Sequence, residues 1–528
     1  MTSGIQGLDA RAHAQYARAA EALATGKPRE AAALARALLE RAPEQPDVLH
    51  LIAGIRGRLG DHAGAVNAAQ RALRGRPDDA TFCCTLGTQL AATGQLDAAI
   101  EALQRACSLQ PGLAMAWYNL GVLWVRAVRF EEAEAALRKS LELAPDNPQA
   151  RLQLADLLKM AGRVDAAATV YRGMLKAHPG RGDAWWGLAD LKQAGLGDDD
   201  IPAMQAALHD PKATERDRIA LGFAIARVLD RNDRCIEAMG VLKETHAHAR
   251  KLQSWDAAAF ARGLDDVLAA FAAATPVAAS ERGHGAIFIA SLPRSGSTLT
   301  EQVLAAHSRV AATGELHDLP QVLAEESRQR GRHYPDWVAS VAGDDWRRLG
   351  ERYLERTARW RGGKSFFTDK LPGNWLHIGA IRAMLPGAKV IACRRDPLET
   401  CFSCYRQYMT ADGQGWTHCF EDLAAYWNAF DRALQQWQSR YPGFVYTQSY
   451  ENLLTEPEAS VRALLAFCGL PFEDACLAFW TSAHEVRSPS AMQVREPLRR
   501  DTARASRYGA LLDPLRNALG IVDIQSAH

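Results

Sequence analysis

The sequence has no long hydrophobic run and no excess charge of either sign. No stretch of about 18 consecutive uncharged apolar residues occurs, which argues against a membrane-spanning helix. The first residues, MTSGIQGLDARAHAQYARAAEAL, lack a basic start followed by an unbroken apolar core, so we predict no secretory signal. The 62 Lys and Arg residues balance 61 Asp and Glu residues, for a net charge of +1. This balance does not indicate binding to nucleic acid or to an anionic membrane.

Cysteine is scarce for a chain of this length. Ten cysteines among 528 residues do not make a disulfide framework, and reduced thiols in the cytoplasm are the simpler interpretation. Cys401 and Cys404 form a C-x-x-C pair without a second pair, which favours packing over zinc or redox chemistry. No His, Cys and Asp group has the spacing of metal ligands, so we predict no metal site. The length predicts two or three domains.

What the first half does contain is a repeat of 34 residues. Prolines recur at this interval, and alanines recur in the same phase: Pro43, Pro77, Pro111, Pro145 and Pro179; Ala31, Ala65, Ala99, Ala133 and Ala167. A small residue, an alanine and a closing proline in each period resemble the tetratricopeptide repeat, whose unit is a pair of antiparallel helices. The alanine would mark the closest contact of the two helices, and the proline would end the second helix because it lacks an N–H donor. Stacked pairs form a superhelix whose concave face can bind a peptide, hold a dimer or only support a neighbouring domain.

The chain is predicted to have three parts. We expect the tetratricopeptide array at residues 1–200, capping helices and a linker at 201–280, and a second domain at 281–528. In the last part, short apolar, β-branched runs alternate with helix-like segments. This alternation predicts an α/β domain with a central parallel sheet.

The first of these runs leads directly into the segment ASLPRSGSTL (290–299). A strand, a turn of small residues and a helix is the layout of a phosphate cradle, in which the amides at the helix N-terminus face an anion. The candidate ligands are Arg294, Ser295, Gly296, Ser297 and Thr298. The lysine of a nucleotide-triphosphate loop is missing, which argues against a P-loop kinase and favours a smaller anionic group.

A second segment, KVIACRRDPLETCFSCYRQ (389–407), has a similar layout. Arg395 would lie at the end of a strand, and Ser403, eight residues later, would lie two turns into the following helix. Both side chains could therefore face one anion. The sequence thus predicts two phosphate sites at one edge of the sheet.

With these two sites, the second half resembles the sulfotransferases that use 3′-phosphoadenosine-5′-phosphosulfate (PAPS), and most closely their tyrosylprotein branch. Six motifs occur in order over residues 286–510: RSGSTL, TGEL with Glu315, TDKLPGNW with Lys370, the Arg395–Ser403 pair, SYENLLTEP with Tyr450, and SAMQVREP with Ser490. The resemblance implies that the two phosphate sites and Tyr450 hold the nucleotide. It also implies that Glu315 is the general base and that Lys370, aided by Ser490, provides the cation for the bridging oxygen. His317 is the alternative base, since other sulfotransferase branches use a histidine.

The chain departs from the tyrosylprotein branch at two places. Where the branch has a further arginine, twelve residues after the arginine of the 3′-phosphate site, this chain has Gln407, with Arg406 beside it. The branch also has a lysine further along the sequence that contacts the cofactor, and this lysine has no clear equivalent here. Arg504 and Arg507 are the candidates for that contact, and we assign it to Arg507.

The sequence therefore predicts a PAPS-dependent sulfotransferase that requires no metal and acts in the cytoplasm, without a nucleic-acid partner or a membrane span. A protein or peptide tyrosine is the leading acceptor, because the domain resembles the tyrosylprotein branch and the array could present a peptide. A carbohydrate, lipid or small-molecule hydroxyl is the alternative. A non-catalytic tetratricopeptide scaffold is a third reading, but it predicts a broken base, lysine or 3′ site, and the sequence retains all three.

Overall fold

The computed structural model describes residues 8–191, 196–409, 413–481 and 503–521. They form two compact units that divide between Lys176 and Ala177. The first unit is helical. The second contains further helices and a five-stranded sheet.

The helices of the first unit follow one another in pairs, as the 34-residue repeat predicts. They are α1 (Ala10–Ala24), α2 (Pro28–Arg41), α3 (Pro46–Arg58), α4 (His62–Gly75), α5 (Ala80–Ala92), α6 (Leu96–Leu109), α7 (Ala114–Arg126), α8 (Phe130–Leu143), α9 (Pro148–Met160) and α10 (Val164–Ala177). The second helix of each pair ends two residues before an in-phase proline. The predicted proline stops are therefore present in all five copies.

Small residues allow the paired helices to approach closely. The five in-phase alanines are all fully buried. A Cβ atom added to Gly121 on α7 would lie 2.8 Å from Cγ of Leu137 on α8, a distance too short for two carbon atoms. The repeat therefore selects glycine and alanine at these positions for lack of space.

The second unit begins with five helices, followed by the sheet and its crossover helices. The first five are α11 (Gly182–Asp190), α12 (Ile201–Leu208), α13 (Glu215–Arg231), α14 (Cys235–Leu252) and α15 (Ala257–Ala273). The strands are β1 (Ala286–Ser291), β2 (Val310–Ala311), β3 (Phe366–Lys370), β4 (Lys389–Arg394) and β5 (Val445–Ser449). The remaining helices are α16 (Ser297–Ala305), α17 (Asp318–Arg330), α18 (Gly343–Thr357), α19 (Ile378–Met384), α20 (Pro397–Tyr405), α21 (Phe420–Arg440), α22 (Tyr450–Thr455), α23 (Pro457–Phe467), α24 (Ala505–Tyr508) and α25 (Asp513–Leu519).

All strands are parallel, in the order β2-β3-β1-β4-β5. Successive side chains of β1 enter different layers: Ile287 and Ile289 lie in a core with Leu464 of α23, whereas the ring of Phe288 packs 5.5 Å from that of Tyr353 on α18. Helices thus cover both faces of the sheet, which accounts for the continuous apolar runs. The predicted combination of a helical repeat array and an α/β domain with a parallel sheet is confirmed.

Helices α13 to α15 pack on the sheet domain within the same compact unit. The ring of Phe271 on α15 lies 5.8 Å from that of Trp437 on α21. His246 on α14 bonds through Nε2 to the carbonyl of Tyr405 at 2.8 Å, and its burial lowers its pKa to about 3. Helices α14 and α15 therefore pack directly on α20 and α21 of the sheet domain. The domain boundaries at residues 200 and 280 remain predictions, beside the observed division after Lys176.

Candidate active site

The carboxyl ends of β1, β3 and β4 lie side by side and carry the predicted site residues. The register pairs Ile289 of β1 with Lys370 of β3, and Ser291 of β1 with Cys393 of β4. Residues that follow these strands therefore emerge at one edge of the sheet. This is the edge at which open parallel sheets bind ligands.

The turn between β1 and α16 is held tightly against Tyr450. Gly296 has a φ of 86°, in the left-handed region that favours glycine. A Cβ atom added to it would lie 2.6 Å from Cδ2 of Tyr450. Ser295, Ser297 and Thr298 are buried in the same turn. The cradle predicted from RSGSTL is therefore a compact loop that opens a helix.

The second predicted phosphate site meets this loop. Helix α20 begins after Asp396, whose side chain accepts a hydrogen bond from the backbone N–H of Glu399. Ser403 on this helix accepts a hydrogen bond from Nε of Arg294 at 3.3 Å. Nη1 of Arg395 donates to the carbonyl oxygen of Arg294 at 3.4 Å. The two predicted sites are thus in direct contact with each other.

One carboxylate and one aromatic ring lie beside Arg395. The guanidinium of Arg395 lies 4.8 Å from the centre of the Tyr450 ring and 3.3 Å from the carboxylate of Glu399. Burial lowers the pKa of Arg294. An anion at this position would offset the unfavourable burial of these charges.

Glu399 also binds the C-terminal part of the domain. Its carboxylate accepts hydrogen bonds from the backbone N–H groups of Arg504 and Ala505 at 2.7–3.0 Å. Arg507, the predicted late cofactor contact, donates through Nη2 to the carbonyl oxygen of Asp230 at 2.9 Å and pairs with Asp233. The structure therefore places the Arg507 guanidinium at the end of α13, and its contact with a cofactor remains a prediction.

Lys370 and Glu315 form a direct ion pair. The Lys370 side chain at the end of β3 is 1% exposed, and its Nζ lies 2.8 Å from Oε1 of Glu315. The backbone N–H of Lys370 donates to the carbonyl oxygen of Gly314, which fixes the segment that carries Glu315 beside the strand. Glu315 remains 37% exposed and can be reached from solvent. His317, the alternative base, is exposed at the N-cap of α17 and makes no side-chain capping bond.

A second carboxyl group behind Lys370 was not predicted. Glu301 on α16 is buried, and its Oε1 accepts hydrogen bonds from the N–H of Gly314 at 3.0 Å and from Oγ1 of Thr368 at 2.9 Å. Burial raises its pKa, whereas the nearby charge of Lys370 lowers it. Glu301 therefore holds the segment that carries Glu315. In the sequence, its one signal is that it is the sole charged residue of the α16 segment STLTEQVLA.

The residue before Lys370 is a buried acid on the opposite face of β3. Asp369 accepts hydrogen bonds from the hydroxyl of Tyr353 at 2.7 Å and from Nδ2 of Asn374 at 3.1 Å. Burial raises the pKa of Asp369 to about 7. These bonds fix the end of β3 from the side that Lys370 does not face.

The remaining observations concern the C-x-x-C pair, metal ligands, membrane helices and Ser490. The C-x-x-C pair lies in the core, and burial raises the pKa of both thiols, that of Cys404 to about 12. Among the described residues there is no group of three or more His, Cys, Asp or Glu residues that could hold a metal ion. Within the same ranges no helix is long and apolar enough to cross a membrane. Ser490 lies outside the described residues.

Comparison with known families assigns both parts of the chain. Residues 286–474 match the model of the Sulfotransferase family. Residues 16–80, 84–148 and 125–191 match models of the tetratricopeptide repeat. The chain therefore carries a sulfotransferase-family domain preceded by tetratricopeptide repeats, which confirms the predicted combination.

Individual relatives match parts of the chain. An uncharacterized protein of Aquifex aeolicus is 29% identical over 330 residues, which cover 60% of this chain and 43% of the relative. Protein-tyrosine sulfotransferase 2 of Gallus gallus is 27% identical over 206 residues, 36% of this chain and 53% of the relative. Protein-tyrosine sulfotransferase A of Caenorhabditis elegans is 25% identical over 197 residues, 36% of this chain and 51% of the relative. The chain thus spans about half the length of the curated relatives it matches.

Among solved structures, a thermophilic tetratricopeptide protein of Thermus thermophilus covers 32% of this chain and 92% of its own. It has 23% identity and a TM-score of 0.30.

Proposed function

We propose that this chain, in which a sulfotransferase-family domain follows a tetratricopeptide array, transfers the sulfuryl group of PAPS to a hydroxyl acceptor. One observation carries the proposal. The loop after β1, the Arg395–Ser403 pair after β4 and the Lys370–Glu315 ion pair at β3 meet at one edge of the sheet. The candidate anion site thus lies at the same edge of the sheet as a paired cation and carboxylate.

The residues present fit a nucleotide with two separate phosphate groups. Gly296 lets the loop approach the Tyr450 ring more closely than any residue with a Cβ atom could. The Oγ of Ser291, at the end of β1, is buried without a hydrogen-bond partner among the described residues. The amides at the start of α16 and the guanidinium of Arg395 provide two points for anions. We therefore assign the β1–α16 loop to the 5′ arm and Arg395 with Ser403 to the 3′-phosphate.

The charge and the exposure of Lys370 and Glu315 support the catalytic roles that we propose for them. PAPS, when bound, supplies a sulfuryl group attached through an oxygen that gains negative charge as the group leaves. Lys370, held in a buried position, would stabilise charge on that oxygen, and Ser490 is proposed to assist it. Glu315 is partly exposed and would accept the proton of the attacking hydroxyl. We also propose that Arg507 contacts the nucleotide.

Selective binding of a 3′-phosphate is the first test. The protein should bind adenosine 3′,5′-bisphosphate far more tightly than AMP, as measured by calorimetry. Arg395→Ala should remove most of this preference, because a hydrogen bond to a charged group contributes about 1.5–3 kcal/mol. Arg394→Ala is the matched control, since the neighbouring guanidinium pairs with Asp431 instead. Equal affinity of the unaltered protein for AMP and the bisphosphate would refute the proposed donor.

For the acceptor, we propose a tyrosine in a protein or peptide that the tetratricopeptide array binds. The named relatives are protein-tyrosine sulfotransferases, and such arrays commonly bind peptides. A carbohydrate, lipid or small-molecule hydroxyl is the second candidate, because the proposed chemistry requires only an acceptor hydroxyl. Mass spectrometry of a cell extract incubated with the protein and PAPS would identify the sulfated product.

Removal of the array should separate acceptor binding from chemistry. A variant that begins at Ala177 keeps the whole second unit. We expect it to retain its affinity for the bisphosphate and its turnover of a small hydroxyl compound, but to lose activity on the natural macromolecular acceptor, measured as kcat/KM. Full activity of this variant on that acceptor would show that the array does not bind the substrate.

The free cysteines support a reducing location. All ten are free thiols, including those of the C-x-x-C pair. We therefore propose that the protein acts in the cytoplasm.

A further inference from the structure

We propose that Arg227, on helix α13, is a second cation of the 3′-phosphate site. Arg227 lies outside the region that matches the sulfotransferase family, 59 residues before its first residue (286 − 227 = 59). The inference rests on the proposed function, because the ligand is the 3′-phosphate of the same nucleotide. It adds helix α13, which none of the sequence motifs includes, to the proposed 3′-phosphate site.

The contacts of Arg227 place it beside the proposed phosphate ligands. Its Nη2 donates a hydrogen bond to Oε1 of Gln407 at 2.9 Å. Gln407 follows Ser403 by four residues, about one helical turn, just beyond the end of α20. Arg294, which donates to Ser403, is close enough for its charge to lower the pKa of Arg227. Arg227 thus lies near Arg294, whose side chain donates to Ser403 and whose carbonyl oxygen accepts a hydrogen bond from Arg395.

The charge of Arg227 is compensated only in part, although its guanidinium lies 5.2 Å from the centre of the Trp186 ring. Its nearest carboxylate, that of Asp190, lies 3.8 Å away, longer than a hydrogen bond. Its Nε is buried without a hydrogen-bond partner among the described residues. Burial, together with the neighbouring charges of Arg406 and Arg294, lowers its pKa to about 10, against the opposite effect of Asp190. A bound phosphate would supply both the missing acceptor and the missing negative charge.

Neighbouring arginines are already engaged in structural contacts. Arg406 bonds to the carboxylate of Asp230 at 2.6 Å. Arg231, one turn after Arg227, donates to the carbonyl oxygens of Ala189 and Leu191. Arg227 has instead the side chain of Gln407 as its closest hydrogen-bond acceptor. Because the glutamine amide is neutral, Arg227 could exchange this contact for one with a phosphate at little cost in free energy.

Calorimetry with two nucleotides tests the role of Arg227 in the full chain. Arg227→Gln should weaken binding of adenosine 3′,5′-bisphosphate about ten- to a hundredfold, with little change for AMP, which lacks the 3′-phosphate. Arg216→Gln is the matched control: it removes the same charge from an exposed position on the same helix, about 16 Å away along the axis (11 residues at 1.5 Å). It should alter neither affinity.

A double variant distinguishes a phosphate contact from a merely structural one. Because Gln407 and Arg227 touch, Arg227→Gln combined with Gln407→Arg returns a guanidinium to the same place from the other side. This exchange should restore most of the preference for the bisphosphate over AMP. If Arg227 only supports the packing of α13, Arg227→Gln will weaken both nucleotides equally and lower the unfolding temperature, and the proposal is overturned.

The outcome for the unaltered protein separates this inference from the proposed function. If the unaltered protein shows no preference for the bisphosphate, the proposed donor is wrong. If it shows the preference and Arg227→Gln keeps it, the donor stands and the role of Arg227 is rejected.

Discussion

Replacing Glu315 by glutamine should lower turnover about 10²–10⁴-fold, the usual effect of removing a general base. The glutamine keeps the shape of the side chain and can still accept a hydrogen bond from Lys370. It cannot, however, take up the proton of the attacking hydroxyl. Affinity for adenosine 3′,5′-bisphosphate should change little, because Glu315 contacts Lys370 and not the arginines of the phosphate sites. Steady-state kinetics with the identified acceptor, together with calorimetry, would measure both quantities.

His317 provides the comparison for this variant. It stands two residues after Glu315, is exposed, and makes no side-chain capping bond. His317→Ala should therefore retain most of the turnover. An inactive alanine variant beside a nearly normal glutamine variant would assign the base to His317 instead.

Lys370→Met should lower turnover about 10²–10³-fold, the range observed when one preorganised donor to a developing negative charge is removed. Methionine has a similar length and no charge, so the strand should keep its path. The variant should also lose stability, because Glu301 and Glu315 would remain without the cation between them and Glu301 is buried. Turnover per folded molecule and thermal unfolding would report the two effects.

A second substitution separates the loss of chemistry from the loss of stability. Glu301→Gln removes the uncompensated buried charge, and its amide oxygen can still accept the bonds from Gly314 and Thr368. Lys370→Met with Glu301→Gln should thus unfold at a higher temperature than Lys370→Met alone and keep the same lowered turnover. Recovery of turnover in the double variant would contradict a catalytic role for Lys370.

The array was predictable because its structural requirements repeat within the sequence. Each period needs a small residue where two helices touch and a proline after the second helix, and these positions lie within one 34-residue unit. Ala99, for example, is fully buried, as its position in the repeat requires. Each requirement is local, so it can be read without knowledge of the tertiary fold.

The site was predictable only in part. The main candidates follow strands, and parallel strands place their carboxyl ends together, so Arg294, Arg395 and Lys370 could be expected to converge. Glu301 and Arg227 could not, because their roles depend on contacts between distant segments. Arg227 meets Gln407 across 180 positions, and Gln407 is the place where the chain lacks the arginine of the tyrosylprotein branch. When the two segments are considered separately, Gln407 lacks an expected positive charge and Arg227 has a positive charge without an evident role.

The close approach of Gly296 to Tyr450 couples two positions that lie far apart in the sequence. The two positions are 154 residues apart (450 − 296 = 154), and no contiguous motif contains both. Any side chain at position 296 would have to displace the aromatic ring over which Arg395 lies. The effect of a mutation at one of these positions therefore depends on the residue at the other. A smaller side chain at position 450 would make room for one at position 296, so the effects of substitutions at the two positions on stability should be non-additive.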